Sequence, residues 1–152
     1  MAGDSVFPEE TLVKLQESCK PPDWLRLAFD ERKRAITATA DATLQGQQRG
    51  VRVFELPKPG HDYAIGIDVA EGSLSNEKDI ESERDWSAAV ALDRKTKVVV
   101  ATCQSRLDPH RFAYGCWLLG WWYNLAWLNP ELNNNGVALL GVLRGTVELA
   151  NA

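Results

Sequence analysis

The chain has 152 residues, 45% of them hydrophobic, which is enough for one domain with a proper core and an appendage but too short for two full domains. No stretch approaches the roughly 20 apolar residues of a membrane span, and the opening MAGDSVFPEE lacks the basic and apolar blocks of a signal peptide, so the expectation is a soluble intracellular protein with no membrane partner. The net charge of −4 comes wholly from residues 61–152, and one segment, EGSLSNEKDIESERD (71–85), carries a surplus equal to it. Such a run predicts a solvated, mobile loop for Glu77, Asp79, Glu81 and Glu83, and it does not exclude a DNA partner, because cations held by carboxylates reverse the local field. Cys19, Cys103 and Cys116 have no metal-ligand spacing and read as buried thiols, and His61 and His110 are too far apart in sequence to suggest zinc.

In chain order, FPEETLVKLQESCKPP predicts a short helix, with Pro8 near its start, Glu9 and Glu10 in its first turn, Leu12 and Leu15 at helical spacing, and Pro21-Pro22 as its stop. Residues 24–50, WLRLAFDERKRAITATADATLQGQQRG, read as a second short helix and a polar, poorly periodic stretch. VRVFEL (51–56) reads as an edge strand closed by Pro57, Pro59 and Gly60. The PKPG turn divides the chain into a linker or appendage, 1–60, and a compact domain, 61–152.

From Tyr63 the pattern sharpens. Tyr63, Ile65 and Ile67 alternate with Ala64, Gly66 and Asp68, so the strand face that bears the carboxylate is otherwise nearly empty and leaves room for a ligand. WSAAVALD (86–93) and KVVVATCQSRL (97–107) predict two strands joined by a turn short enough for a hairpin, giving an antiparallel meander of three. Asp108-Pro109 supplies a cap and first-turn proline for a helix through HRFAYGCWLLGWWYN, and tryptophans 117, 121 and 122 in it, with Trp127 beyond it, read mostly as core rather than as base-stacking platforms. LAWLNPE then predicts a short strand ending at Glu131, followed by an asparagine-rich turn and a helix at 137–144 with Gly145 beyond it. A right-handed crossover makes this last strand parallel to the first, so Asp68 and Glu131 emerge together at the sheet edge where open α/β sheets bind ligands.

IGIDVAEG, RDWSAAVALD and YNLAWLNPELNNNG, in that order, resemble the nuclease domain of the large terminase subunit of tailed bacteriophages, an α/β fold of the ribonuclease-H-like type. The resemblance covers 61–145 well and 1–60 loosely. It implies a mixed sheet of three antiparallel strands and a parallel strand after a crossover helix. The activity implied is metal-dependent endonuclease cutting of concatemeric double-stranded viral DNA during genome packaging, in the cytoplasm of a bacterial host, beside other terminase subunits and the portal. By the same resemblance the metal-holding, catalytic carboxylates are Asp68, Asp85 and Glu131. Hydrolysis of a phosphodiester by two Mg²⁺ or Mn²⁺ ions needs converging carboxylates, and hard oxygen donors without a His/Cys cluster fit those ions rather than zinc.

The departures are as informative. The family completes its site with a further acid beyond a fifth strand, whereas this sequence ends at Ala152, and Glu148 lies too close to the last helix to serve. No G-x-x-x-x-G-K-[ST] phosphate loop is present, so the ATPase motor is missing. The expectation is therefore a C-terminally shortened nuclease domain lacking the last strand and helix, with weak metal binding and an exposed sheet edge, blunted by Pro130, through which it self-associates. Two alternatives stand beside it: an inactive prophage remnant or assembly fragment, and another enzyme, either a ribonuclease-H-like resolvase or transposase or an actin-like phosphotransferase.

Overall fold

A computed structural model describes residues 8–47, 50–70, 85–132 and 134–151. The acidic segment expected to be a mobile loop, 71–85, lies outside the described residues except for Asp85 at its end. The elements in chain order are α1 (Glu9–Ser18), β1 (Asp23–Asp30), β2 (Ala35–Ala40), α2 (Thr43–Gln47), β3 (Val51–Val53), β4 (Tyr63–Asp68), β5 (Ser87–Asp93), β6 (Val99–Ser105), α3 (Pro109–Trp122), β7 (Trp127–Pro130) and α4 (Asn134–Asn151). No described helix is long and apolar enough to cross a membrane.

All the strands join one mixed sheet in the order β2-β1-β3-β6-β5-β4-β7. Every pairing is antiparallel except β4 with β7, which is parallel. The mixed α/β architecture, the β4–β5–β6 meander and the parallel strand after a crossover helix are as the sequence predicts.

Residues 24–40 are a correction. The segment does hold a short helix, α2, but most of it is the β1–β2 hairpin. Leu25, Leu27 and Phe29 alternate with Trp24, Arg26 and Ala28, and Phe29 packs its ring 5.6 Å from Trp117 and 5.3 Å from Trp121 of α3. The Asp30 carboxylate accepts from the Arg32 and Lys33 amides to make the turn, and Arg34 takes a left-handed φ of 47°. The strand at 51–56 is also corrected: it is shorter, Val51–Val53, and lies between β1 and β6 instead of at an edge. The edge expected at β7 is present, as the last strand of the sheet.

α3 carries the core. Asp108 caps it by accepting from the His110 and Arg111 amides, and Phe112, Cys116 and Leu119 sit under the sheet with Ile65, Ile67 and Val100. α4 runs straight through Gly145, past the end expected there, because Leu139 and Leu143 are buried one turn apart against the core and offset the roughly 1 kcal/mol each that its glycines cost. α1 buries none of its residues, so Leu12 and Leu15 mark a helical spacing without a packed face. The helices that touch the sheet lie on one face. On the other, among the described residues, Ala64, Gly66, Val90, Thr102, Arg52 and Trp24 all keep solvent exposure.

At the end of the sheet where β4 begins, a polar clamp fixes the strands. Tyr123 Oη donates to Glu55 O (2.7 Å), the Lys58 amide donates to Tyr63 Oη (2.8 Å), and Asn124 Nδ2 donates to Lys58 O and His61 O (2.9 and 3.1 Å). His61 Nδ1 lies 2.7 Å from Asp93 Oδ2, and Asp93 is fully buried while accepting from the Lys95 and Thr96 amides. Burial opposes ionisation of Asp93, but the His61 and amide hydrogen bonds outweigh it and hold the carboxyl down at about 2.

Candidate metal centre

β4 sends Tyr63, Ile65 and Ile67 into the core and leaves Gly66 and Asp68 exposed on the open face. The parallel register pairs Ala64 with Trp127 and continues to Ile67 with Pro130. One residue further, the Glu131 amide donates to Ile67 O at 2.8 Å. Residues opposite one another in a parallel pair share a face, so Asp68 and Glu131 leave neighbouring backbones, about 4.8 Å apart, on the same exposed side. Two carboxylates on short flexible arms at that separation are within reach of one cation.

β7 is seated against α3 through Leu128. A Cβ on Gly120 would lie 3.0 Å from Leu128 Cδ2, so glycine is what lets strand and helix approach this closely. Gly66, two residues before Asp68 on the open face of β4, has nothing within 4 Å of its would-be Cβ.

Asp85 stands apart from this pair. It lies two residues before β5, exposed, at the same end of the sheet, since β5 starts opposite Asp68 with the register Asp68 to Ala88. Ser87 is buried and its Oγ accepts from the Ala70 amide at 3.1 Å, which ties the start of β5 to the chain leaving β4. Within the strand Ala88 shares the Asp68 face, whereas Asp85 and Trp86 precede the paired residues. Among the described residues, no group of three or more His, Cys, Asp or Glu side chains converges to hold a metal. Glu148 falls within α4.

The donor chemistry of Asp68 and Glu131 suits a hydrated Mg²⁺ or Mn²⁺ ion, which accepts one or two carboxylates and keeps several waters. Cys103 and Cys116 offer no competing soft site. Burial raises both thiols, to about 11 for Cys103, and Arg52 only partly opposes this at Cys103.

Three arginine–tryptophan contacts are not anticipated by the sequence reading, one of them Arg94 Cζ at 5.8 Å from the Trp127 ring centroid. Arg106 Cζ lies 4.5 Å from the Trp86 ring centroid, and Arg52 Cζ 5.8 Å from that of Trp24. Their signal in the sequence is the period of two: Arg52 between Val51 and Val53, and Trp24 out of phase with Leu25 and Leu27. Of the four tryptophans weighed from sequence, Trp117 is buried and Trp121 and Trp122 are half-buried against the core, while Trp127 is exposed.

No family model matches the sequence, and no curated protein matches it. Among solved structures, the fold is that of the large terminase nuclease. The magnesium-bound nuclease of thermophilic phage G20c superposes with a TM-score of 0.53 at 21% identity, over 65% of this chain and 48% of that one. Its zinc-bound form gives 0.52 at 21% identity, over 65% and 52%. The chain thus spans about half the length of these nucleases, and at this identity the likeness is one of fold.

Proposed function

We propose that the chain is a terminase-type, metal-dependent DNA endonuclease domain that cuts concatemeric viral DNA during genome packaging in a bacterial host. The observation that carries this is the β4–β7 register, which sets Asp68 beside Glu131 at an open sheet edge. The fold shared with nucleases whose structures were solved with magnesium and with zinc supports it. Asp68 and Glu131 would hold the ion and Asp85, at the same end of the sheet, would reach it by movement of the short stretch before β5. A divalent ion there would activate water and stabilise the departing 3′ oxygen. Gly66 leaves the floor beside Asp68 clear for a phosphate, and double-stranded DNA is the expected partner, with other terminase subunits and the portal beyond it.

A second reading, an inactive remnant or assembly fragment, is favoured by the absence of a third converging carboxylate among the described residues. Plasmid nicking in Mn²⁺ separates the two. The nuclease reading expects nicking that EDTA stops and that Asp68→Asn and Glu131→Gln each reduce at least 100-fold. Nicking that survives both substitutions removes the site assignment, and no nicking by the wild type favours the second reading.

A further inference from the structure

We propose that the β5–β6 turn, with Arg94 laid on Trp127, is an anchor for the phosphate backbone of duplex DNA, set about four base pairs along the open face from Asp68 and Glu131. This rests on the nuclease reading for the position of the cut and adds the grip that would hold the substrate in line with it.

The β4–β7 register sets the line. Trp127 is opposite Ala64 and Asn129 opposite Gly66, so both share the open face with the Asp68 and Glu131 positions further along. β5 runs on the other side of β4, with Leu92 opposite Ala64, and just beyond it the Arg94 amide donates to Asp62 O at 2.9 Å. The Arg94 side chain therefore starts on the β5 side and reaches across β4 to Trp127, its Cζ 5.8 Å from the ring centroid. Trp127 and Glu131 are four positions apart on an extended chain, about 13 Å at about 3.3 Å per residue. At a rise of about 3.4 Å, that is roughly four base pairs of duplex. Alongside this stretch β4 presents only Ala64 and Gly66, so nothing larger than a methyl group rises from it between the anchor and Asp68.

The charges at the turn fit a polyanion. Arg94, Lys95 and Lys97 are all exposed, and among the described residues none of them makes an ion pair, whereas Lys58 is met by Glu55 at 2.6 Å. The tip that carries them is held from below. Buried Asp93 accepts from the Lys95 and Thr96 amides at 2.8 and 3.2 Å, and its carbonyl accepts from the Lys97 amide at 2.8 Å. The one acid in the turn thus directs its oxygens to backbone amides and His61, leaving the three cations to whatever approaches from solvent. A guanidinium stacked on an indole keeps its N–H fork for phosphate oxygens and loses little rotamer freedom on binding. The exposed rim of Trp127 adds apolar surface for a deoxyribose.

The test is fluorescence anisotropy of a labelled 30-base-pair duplex in Ca²⁺, titrated from 50 to 300 mM KCl. Arg94→Gln and Lys95→Gln are each expected to weaken binding severalfold at 100 mM and to reduce the slope of log affinity against log salt by about 0.9. Adding Lys97→Asn, a residue that tolerates the left-handed φ of 64° there, should bring the loss of slope in the triple variant to about 2.7. Arg94→Lys should keep the wild-type slope, since it keeps the charge, and far-ultraviolet circular dichroism checks that each variant is folded. Lys33→Gln, in the β1–β2 turn at the opposite edge of the sheet, should leave the slope unchanged. A wild-type slope in the triple variant, an equal loss from Lys33→Gln, or no binding by the wild type overturns the anchor. The outcomes separate the two proposals. Nicking that depends on Asp68 with a salt slope indifferent to Arg94, Lys95 and Lys97 sinks only the anchor. A slope that depends on these three, in a protein that never nicks, sinks only the nuclease reading.

Discussion

Replacing Gly120 by alanine probes the seat of β7 and through it the position of Glu131. The new Cβ would stand 3.0 Å from Leu128 Cδ2, and 3.6 and 3.7 Å from Cγ and Cδ1, against an ordinary carbon contact of about 3.5 to 4.0 Å. Leu128 must therefore withdraw by about half an ångström, and overpacking of this kind costs about 1–3 kcal/mol. Alanine in mid-helix returns about 1 kcal/mol of propensity, so the net loss should be about 0–2 kcal/mol. Because the strand rather than the helix yields, nicking should fall further than stability. Urea unfolding of Gly120→Ala, Leu128→Ala and the double variant measures the coupling. The double variant should be more stable than the sum of the singles by about 1 kcal/mol, since the smaller residue at 128 vacates the space the new methyl needs. Additivity within about 0.5 kcal/mol, or a Gly120→Ala protein that is more stable and nicks normally, would refute the idea that this contact sets the strand.

Gly66→Val should raise the unfolding midpoint, because a β-branched residue suits the strand and meets open space, while lowering nicking and DNA affinity by crowding the floor beside Asp68; unchanged nicking would mean the substrate passes elsewhere. Asp93, with its folded value lowered to about 2 from 3.8, contributes stability that is complete above about pH 4 and is lost as pH falls toward 2, so the melting temperature should drop through that window and Asp93→Asn should flatten the drop. Of the three thiols, exposed Cys19 should react rapidly with Ellman's reagent, and Cys103 and Cys116 only on unfolding; two fast thiols would contradict the packing of β6 on α3. Pro130→Val should increase self-association seen by analytical ultracentrifugation, because it returns a hydrogen-bond donor to the outer side of an edge strand.

The legible parts of the molecule are those set by nearby residues. The period of two in YAIGID, the three-residue turn between VALD and KVVV, and Asp108-Pro109 each specify an element from within a few positions, and β4, β5, β6 and α3 follow. The pairing of Asp68 with Glu131 was readable too, because a helix between two strands constrains their direction. The β1–β2 hairpin was not. WLRLAFDERKR also fits helical spacing through Leu25, Ala28 and Phe29, and the choice is made by Trp117 and Trp121, distant in sequence, on which Phe29 packs. The length of α4 was hidden for a like reason: its glycines argue for an early stop, and only the burial of Leu139 and Leu143 carries the helix past them. Asp85 came only from the resemblance to the terminase nuclease, and the structure places it two residues before β5. There the buried Ser87, bonded to Ala70, fixes the start of the strand, and the fold alone does not carry the Asp85 carboxylate into the pair.

The clamp at Asn124 has a consequence at the other end of the sheet. Its amide holds the carbonyl of His61, and from that contact β4 and β7 run side by side with equal numbers of residues to Asp68 and to Glu131. Because side chains alternate, the two acids share a face only while the strands keep step, and a slip of one residue would turn Glu131 away altogether. Asn124 and Leu125 hold left-handed φ values of 55° and 59° just where that count begins. Evolution can therefore exchange much of the strand sequence at little functional cost, but an insertion or deletion between either clamp residue and its acid amounts to a frameshift in space.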